Sequence, residues 1–208
     1  MSVLPYLATS LNRRDEVPNQ ELARKIAAAN DTKAIKELVD NLKNKDKGIQ
    51  GDCIKALYEA GTLKPGLIAG YMKDFMALLD SKNNRLQWGA MHALYIMTNE
   101  DPKAVYKALP QLAAAADSGS VITRDNYVAI LIKLGGIKQY TEEAFALLNE
   151  QLLGCPANQL PMYAENALPI INEENKATFL NTLRGRLDDF EKESKRKRVE
   201  KVLKKLGK

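Results

Sequence analysis

The feature that most limits the fold of this chain is a helical pattern that recurs about every 36 residues. One apolar residue marks each repeat, and we call these five the column residues. In each repeat, the positions eight, four and one residues before the column residue lie on the same face of the helix. Most of these positions are apolar or small, and the exceptions are Asn126 and Lys195. The pattern predicts five buried stripes on five helices. The column residues, separated by 37, 36, 38 and 35 positions, are Leu57, Leu94, Ile130, Leu168 and Leu203.

A second set of apolar pairs lies about fifteen residues before each column position and predicts a preceding helix. Asp31 and Thr32 are candidate caps for the first of these helices. We expect Gly61 to end the helix that follows, over 49–60. Each unit is a helical hairpin that needs a stacked neighbour to bury its apolar face, and no stretch alternates as a half-buried strand would, so we predict an all-α fold. The pairs are Leu38 and Leu42, Phe75 and Leu79, Leu109 and Leu112, Leu148 and Leu152, and Phe179 and Leu183.

The segment LLDSKNNRLQWGAMHALYIM (78–97) and the five matched columns resemble HEAT-type repeats of the armadillo-like α-solenoid class over about residues 31–206. The resemblance implies a right-handed solenoid of about five HEAT-like hairpins with helical caps. The period lies below the range of about 40–47 residues for HEAT and armadillo repeats and above the tetratricopeptide value of about 34. The Arg that HEAT repeats often carry after the minus-eight position occurs only as Arg196. The whole chain also resembles small bacterial HEAT-like proteins, a family that brings no known activity.

The repeats predict one domain over 1–208, because no linker is long enough to divide the chain. It comprises an N-terminal helical cap over 1–30, repeats over 31–191, and a basic C-terminal capping helix over 192–208. In the N-terminal cap we expect Leu22, Ile26 and Ala29 to face inward.

Composition indicates a globular chain: 45% of the 208 residues are hydrophobic and 27% are charged. No run of about 18 apolar residues could span a bilayer, and the first residues lack the pattern of a secretory signal. We therefore expect a cytoplasmic protein. With only two cysteines, Cys53 and Cys155, and one histidine, His92, neither a disulfide framework nor a Cys/His zinc site can be assembled. We expect no metal and no cofactor.

The net charge of +5 is concentrated at one end of the sequence. Residues 192–208 contain nine Lys or Arg and two Glu, whereas 1–191 are slightly acidic. This segment predicts an amphipathic helix with apolar Val199, Val202, Leu203 and Leu206. It is either a solvated cap of the last repeat or a contact to an acidic protein, nucleic acid or membrane surface. The basic patch comprises Lys195, Arg196, Lys197, Arg198 and Lys201.

The candidate partner-binding site lies opposite the buried stripes. In HEAT-like stacks the second helices line the concave surface, and positions minus six, minus two and plus one point outward. The only Trp and the only His fall on this face. Aromatic side chains bury much area at little entropic cost, which is typical of binding hot spots. The alternative is that these residues pack on one another as core. The candidate residues are Tyr58, Trp88, His92, Tyr95, Arg124, Tyr127 and Asn166.

Catalytic patterns are weak. His92 has no Ser or Cys at a recognisable spacing, and Asp52 and Asp125 lie two repeats apart, too far for paired acid and base chemistry. Each Asp is more simply a surface charge or a cap to a neighbouring turn. Some HEAT-like proteins are DNA glycosylases for alkylated bases, and Trp88, Tyr95, Tyr127 and Asp125 could serve that role here. The slightly acidic body opposes phosphate binding, so we predict a non-catalytic module for a protein or peptide partner, with the DNA-binding glycosylase as the alternative.

Overall fold

The computed structural model describes residues 2–207, and within that range the secondary structure consists of helices without strands. This confirms the all-α prediction. Short 3₁₀ turns precede or follow several of the α-helices, including 65–67 and 69–71 before α4 and 138–140 before α9. The α-helices are α1 (Val17–Ala29), α2 (Thr32–Asp40), α3 (Lys47–Leu63), α4 (Met72–Met76), α5 (Asn84–Met97), α6 (Pro102–Lys107), α7 (Leu109–Ser118), α8 (Val121–Gly135), α9 (Thr141–Gly154), α10 (Leu160–Ala167), α11 (Lys176–Gly185) and α12 (Glu193–Leu206).

Two compact units make up the chain, residues 1–127 and residues 128–208, and the boundary falls within α8. The first unit contains α1 to α7 with the start of α8, and the second contains the remainder of α8 with α9 to α12. Compactness does not by itself define a folding domain, so the single repeat domain over 1–208 stays a prediction.

The core of the first unit is built around α3, which packs against α1 on one side and α5 on the other. Leu57 and Leu94, two residues of the predicted column, are buried, as are Phe75 of the preceding α4 and Leu79 in the turn after it. Apolar side chains from both helices of each hairpin therefore contribute to one core, as the repeat pattern predicts.

Two local predictions about helix ends have opposite outcomes. The Asp31 side chain accepts hydrogen bonds from the backbone N–H groups of Lys33 and Ala34, which confirms it as the cap of α2. The prediction that Gly61 ends the next helix is wrong, because α3 continues to Leu63. Gly61 is buried, and a Cβ atom there would overlap Ile68 Cδ1. The glycine thus allows close packing and does not act as a helix stop.

The start of α8 departs from the predicted stripe. Ile122 is 49% exposed and Asn126 is half-buried, whereas Thr123 and Tyr127 are fully buried. The buried stripe therefore begins one residue later than in the other repeats, which corresponds to a rotation of about 100° around the helix axis. This rotation explains the polar Asn126 in a column that is otherwise apolar, because its side chain reaches the surface of the first unit.

In the second unit, α12 packs against α10 and α11. Val199 and Val202 are buried, while Leu203 and Leu206 are half-buried, so the predicted amphipathic helix is confirmed. In the N-terminal cap, Leu22 and Ile26 are buried as expected, but Ala29 is exposed. Ala29 is the last residue of α1, and the turn that follows it leads the chain away from the core.

Candidate functional site

The candidate site is an aromatic ridge on α3 and α5 that consists of Tyr58, Trp88, His92 and Tyr95. On α5, Trp88, His92 and Tyr95 are spaced by four and three residues and so form one stripe. Close packing of the two helices brings Tyr58 against this stripe: a Cβ atom on Gly89 would lie 2.6 Å from Ile54 Cγ1. Only a residue without a side chain permits this approach, which explains Gly89 in the middle of α5.

Ring contacts join the four members of the aromatic ridge. Tyr58 lies with its ring centroid 5.7 Å from that of Trp88 and 4.9 Å from that of His92, the latter in an edge-to-face arrangement of 74°. The centroids of His92 and Tyr95 are 5.8 Å apart. These separations are those preferred by interacting aromatic rings. The four rings therefore form one continuous set of contacts along the ridge.

Exposure differs along the ridge. Tyr58 is only 6% exposed, whereas Trp88, His92 and Tyr95 are half-buried. The outward positions Gly51, Val128 and Leu131 are also buried, so the expectation that they point to solvent is wrong. For Gly51 the reason is a neighbouring helix, since a Cβ atom there would lie 3.2 Å from the Arg85 side chain. A single-helix wheel takes no account of such lateral packing.

A cation lies beside the aromatic ridge. The Lys55 Nζ atom is 2.7 Å from Glu16 Oε2, 2.8 Å from Glu59 Oε1 and 5.0 Å from the centroid of the Tyr58 ring. Burial disfavours the charged amine, but the hydrogen bonds to Glu16 and Glu59 outweigh it, and the pKa of Lys55 is raised. Burial also raises the pKa of Tyr58, although Lys55 partly opposes that shift. Both groups keep their usual protonation states near neutral pH.

His92 is oriented by Asn126. The His92 Nδ1 atom lies 2.7 Å from Asn126 Oδ1, while Asn126 Nδ2 donates to the Ile122 carbonyl at 2.9 Å. Because the amide nitrogen is used by that carbonyl, the oxygen faces the imidazole and Nδ1 carries the proton. The interaction joins α5 to the start of α8, and in the sequence Asn126 is visible only as a polar exception in an apolar column.

The other candidates are placed differently. Arg124 is partly exposed, and its guanidinium lies 3.8 Å from the Asp117 carboxylate of α7. Tyr127 is fully buried, so the exposure expected for its ring is not found. Asn166 is exposed on α10 in the second unit.

Sequence reasoning missed an apolar pair next to the ridge. Val121 and Ile122 are each 49% exposed at the start of α8. A Cβ atom on Gly119 would lie 2.9 Å from Gln87 Oε1, and Asn126 contacts His92, so α5 and α8 run in the same direction. Ile122 is one turn before Asn126 and is therefore level with Trp88, one turn before His92. The polar residue in the third stripe was the signal that could have revealed this rotation.

Comparisons with known proteins identify the fold. No protein-family model matches this sequence, and no curated protein matches it. Among solved structures, a designed armadillo repeat protein matches with a TM-score of 0.63 at 20% identity, covering 98% of this chain and 99% of that chain. The fold is of the armadillo-like helical-repeat class.

Two engineered proteins also match this chain. One has a TM-score of 0.64 at 19% identity, covering 100% of this chain and 97% of its own. The other has a TM-score of 0.59 at 21% identity, covering 99% of each chain. At these identities the similarity establishes the armadillo-like fold alone.

The two aspartates considered for catalysis have unlike surroundings. Asp52 is 5% exposed, and its carboxylate accepts hydrogen bonds from the Thr9 backbone N–H at 2.6 Å and from Asn19 Nδ2 at 2.8 Å. Asp52 therefore links the N-terminal segment to α3 by hydrogen bonds, as expected of a cap to a neighbouring turn. It is buried and so is not a surface charge. Asp125 is half-buried on α8.

Burial also sets the reactivity of Cys53. It raises the pKa of the thiol to about 12, with Asp52 adding to the shift, so the thiolate is scarce at neutral pH. Within residues 2–207 no group of three His, Cys, Asp or Glu side chains is placed to hold a metal ion. In the same range no helix combines the length and the apolar character needed to cross a membrane.

The basic patch on α12 is partly neutralised within the second unit. Arg198 forms a two-pronged ion pair with Glu165, with Nε donating to Oε1 at 2.8 Å, and Arg198 lowers the pKa of Glu165. Ion pairs also join Arg196 to Glu200 and Lys197 to Glu193. Lys195 Nζ donates to the Asn158 carbonyl at 3.4 Å, whereas Lys201 is exposed. The two arginines are thus paired with carboxylates of the second unit, and lysines make up most of the remaining positive charge that faces solvent.

Proposed function

We propose that this protein is a non-catalytic interaction module that binds a protein or peptide partner through the aromatic ridge of its first unit. The observation that carries the proposal is that three partly exposed rings share one stripe of α5. Trp88 and Tyr95 are the anchors, and His92 contributes between them. Because the rings already contact their neighbours, binding orders few additional side chains, and this favours affinity.

The surroundings of the ridge support a partner with an apolar anchor and little net charge. Lys55 is paired with Glu16 and Glu59, and Arg85 is paired with Glu16, so two cations and two carboxylates balance one another beside the ridge. The exposed Ile122 extends the apolar area beyond Trp88. Arg124 and Tyr58 of the first unit are proposed contributors.

Affinity capture from native cytosol tests this proposal, followed by calorimetry with the purified partner. The intact protein is compared with the Trp88→Ala, Tyr95→Ala variant. Tyr71→Ala, which removes a half-buried tyrosine of the first unit outside the ridge, is the matched control. We expect the double variant to weaken binding at least tenfold, about 1.4 kcal/mol, and the control to leave it unchanged. Equal affinity of all three proteins would refute the ridge as the site.

We infer that the protein is not an enzyme and that it works in the cytoplasm. Armadillo-like repeat folds are typically non-enzymatic, and the structural neighbours do not support the DNA glycosylase alternative. An assay for release of methylated bases from duplex DNA separates the two functions. Release above a no-protein control, abolished by Asp125→Asn, would overturn this proposal.

A further inference from the structure

The lysines of α12 form one exposed face. Lys197, Lys201 and Lys204 recur at four- and three-residue spacing, and Lys205 borders them, so together they constitute the lysine face. All four are exposed. On the opposite side of the helix, Val199 and Val202 are buried against the second unit. The lysine face therefore points away from its own bundle, and Glu193, beside Lys197, is the one carboxylate recorded in an ion pair with it.

A groove of opposite charge lies between α9 and α11. Its volume is about 1040 Å³, and its lining includes the apolar side chains of Phe145 and Ala146. Glu142, Glu150, Glu173 and Glu174 line it, and the cation among its lining residues is Lys138. Each of the four glutamates is exposed, and no ion pair to any of them is recorded within residues 2–207. We call it the α9–α11 groove.

We propose that the lysine face of one copy of this chain docks into the α9–α11 groove of a second copy. Four lysines meet four glutamates, so each surface supplies the opposite charge that the other lacks. Phe145 and Ala146 of the groove can contact the methylene stems of the lysines while their amines reach the glutamates. Because the two surfaces differ, the contact is heterologous and repeats head to tail.

Other anionic occupants fit the lysine face less well. The apolar stripe of α12 is already buried in the fold, so the helix has little apolar surface to insert into a membrane. Residues 1–191 are slightly acidic, which opposes the approach of a long polyanion such as duplex DNA. The groove of a second copy presents a short, local set of carboxylates and avoids that repulsion.

Charge reversal on each surface tests the proposal by sedimentation velocity across a concentration series at about 20 mM and 500 mM salt. We expect the wild-type protein to self-associate at low salt and to dissociate at high salt, because the contact between exposed charges is screened. Lys201→Glu with Lys204→Glu should abolish association, as should Glu150→Lys with Glu173→Lys. An equimolar mixture of the two variants should restore it, because the reversed surfaces complement each other.

Three controls keep the experiment decisive. Lys103→Glu with Lys107→Glu changes the net charge equally on the exposed side of α6 and should leave association intact. Lys201→Gln with Lys204→Gln removes the charges without adding carboxylates near Glu165, and circular dichroism verifies that each variant is folded. A wild-type protein that is monomeric at low salt, a mixture that stays monomeric, or monomers that bind duplex DNA or anionic vesicles through the lysine face would overturn the proposal.

Discussion

Replacing Asp52 with alanine should loosen the N-terminal segment without disturbing the aromatic ridge directly. The carboxylate accepts two hydrogen bonds, from Thr9 N–H and from Asn19 Nδ2, and Asn19 Oδ1 in turn accepts from Ala8 N–H at 3.0 Å. One buried carboxylate thus holds two elements onto α3. Its loss leaves the Thr9 N–H and the Asn19 amide without an acceptor.

The magnitude follows from these bonds. Hydrogen bonds to a charged group contribute about 1.5–3 kcal/mol each, so two contribute roughly 3–6 kcal/mol. Removing a buried charge also removes its desolvation cost, which offsets part of that loss. We therefore expect Asp52→Ala to lower the free energy of unfolding of the first unit by about 3 kcal/mol. Asp52→Asn should cost less, about 2 kcal/mol, because one acceptor oxygen remains while the amide group opposes a donor.

Urea titration followed by tryptophan fluorescence measures this change, because the only tryptophan, Trp88, belongs to the first unit. Asp80→Ala, at an exposed loop aspartate, is the control and should stay within about 0.5 kcal/mol of wild type. Limited proteolysis should cut the segment over 2–16 faster in Asp52→Ala than in the control. A stability loss below about 1 kcal/mol with unchanged proteolysis would refute the role assigned to the carboxylate.

Three further predictions concern packing and charge. Gly89→Ala should destabilise the first unit by about 1–2 kcal/mol in urea unfolding despite better helix propensity, because its Cβ meets Ile54, and Ile54→Ala should make the pair less than additive. Trp88→Ala should cost about 2 kcal/mol by circular dichroism, roughly half the loss for a core aromatic; no loss would show that the ring is free of packing. Because Arg198 lowers the pKa of Glu165, the wild-type protein should be more stable than Glu165→Gln at neutral pH, and this difference in unfolding free energy should disappear as the pH falls through about 4 and below. A difference that does not depend on pH would contradict the ion pair.

Periodicity was enough to predict the helices and the pairing of most apolar positions. Leu57 and Leu94, like Phe179 and Leu183 of the last hairpin, are buried where the stripe places them. Helix periodicity follows from backbone geometry, and a chain of this composition must bury its apolar stripes, so these features depend on local residues alone. The aromatic stripe of Trp88, His92 and Tyr95 was predictable for the same reason.

The ends of helices and the true exposure of site residues were not predictable in this way. The sequence predicts that Gly61 ends a helix, yet its role depends on Ile68, which lies in the segment after α3 and packs against it. Tyr58 and Tyr127 are predicted partner-binding residues but are buried. Each outcome is set by atoms of another element, which one helix considered by itself does not contain.

The sequence by itself therefore determined the repeat, the all-α class, and the separation of a basic C-terminal helix from a slightly acidic body. Only the tertiary structure decided the rotation of α8 by one residue position and the contact of Asn126 with His92. It also decided that exposed glutamates gather in the α9–α11 groove, whose charge is opposite to that of the lysines of α12. The physical reason is that the pattern of burial along one helix follows from local geometry. The close approach of helices and the pairing of charges depend on which distant segments the fold brings together.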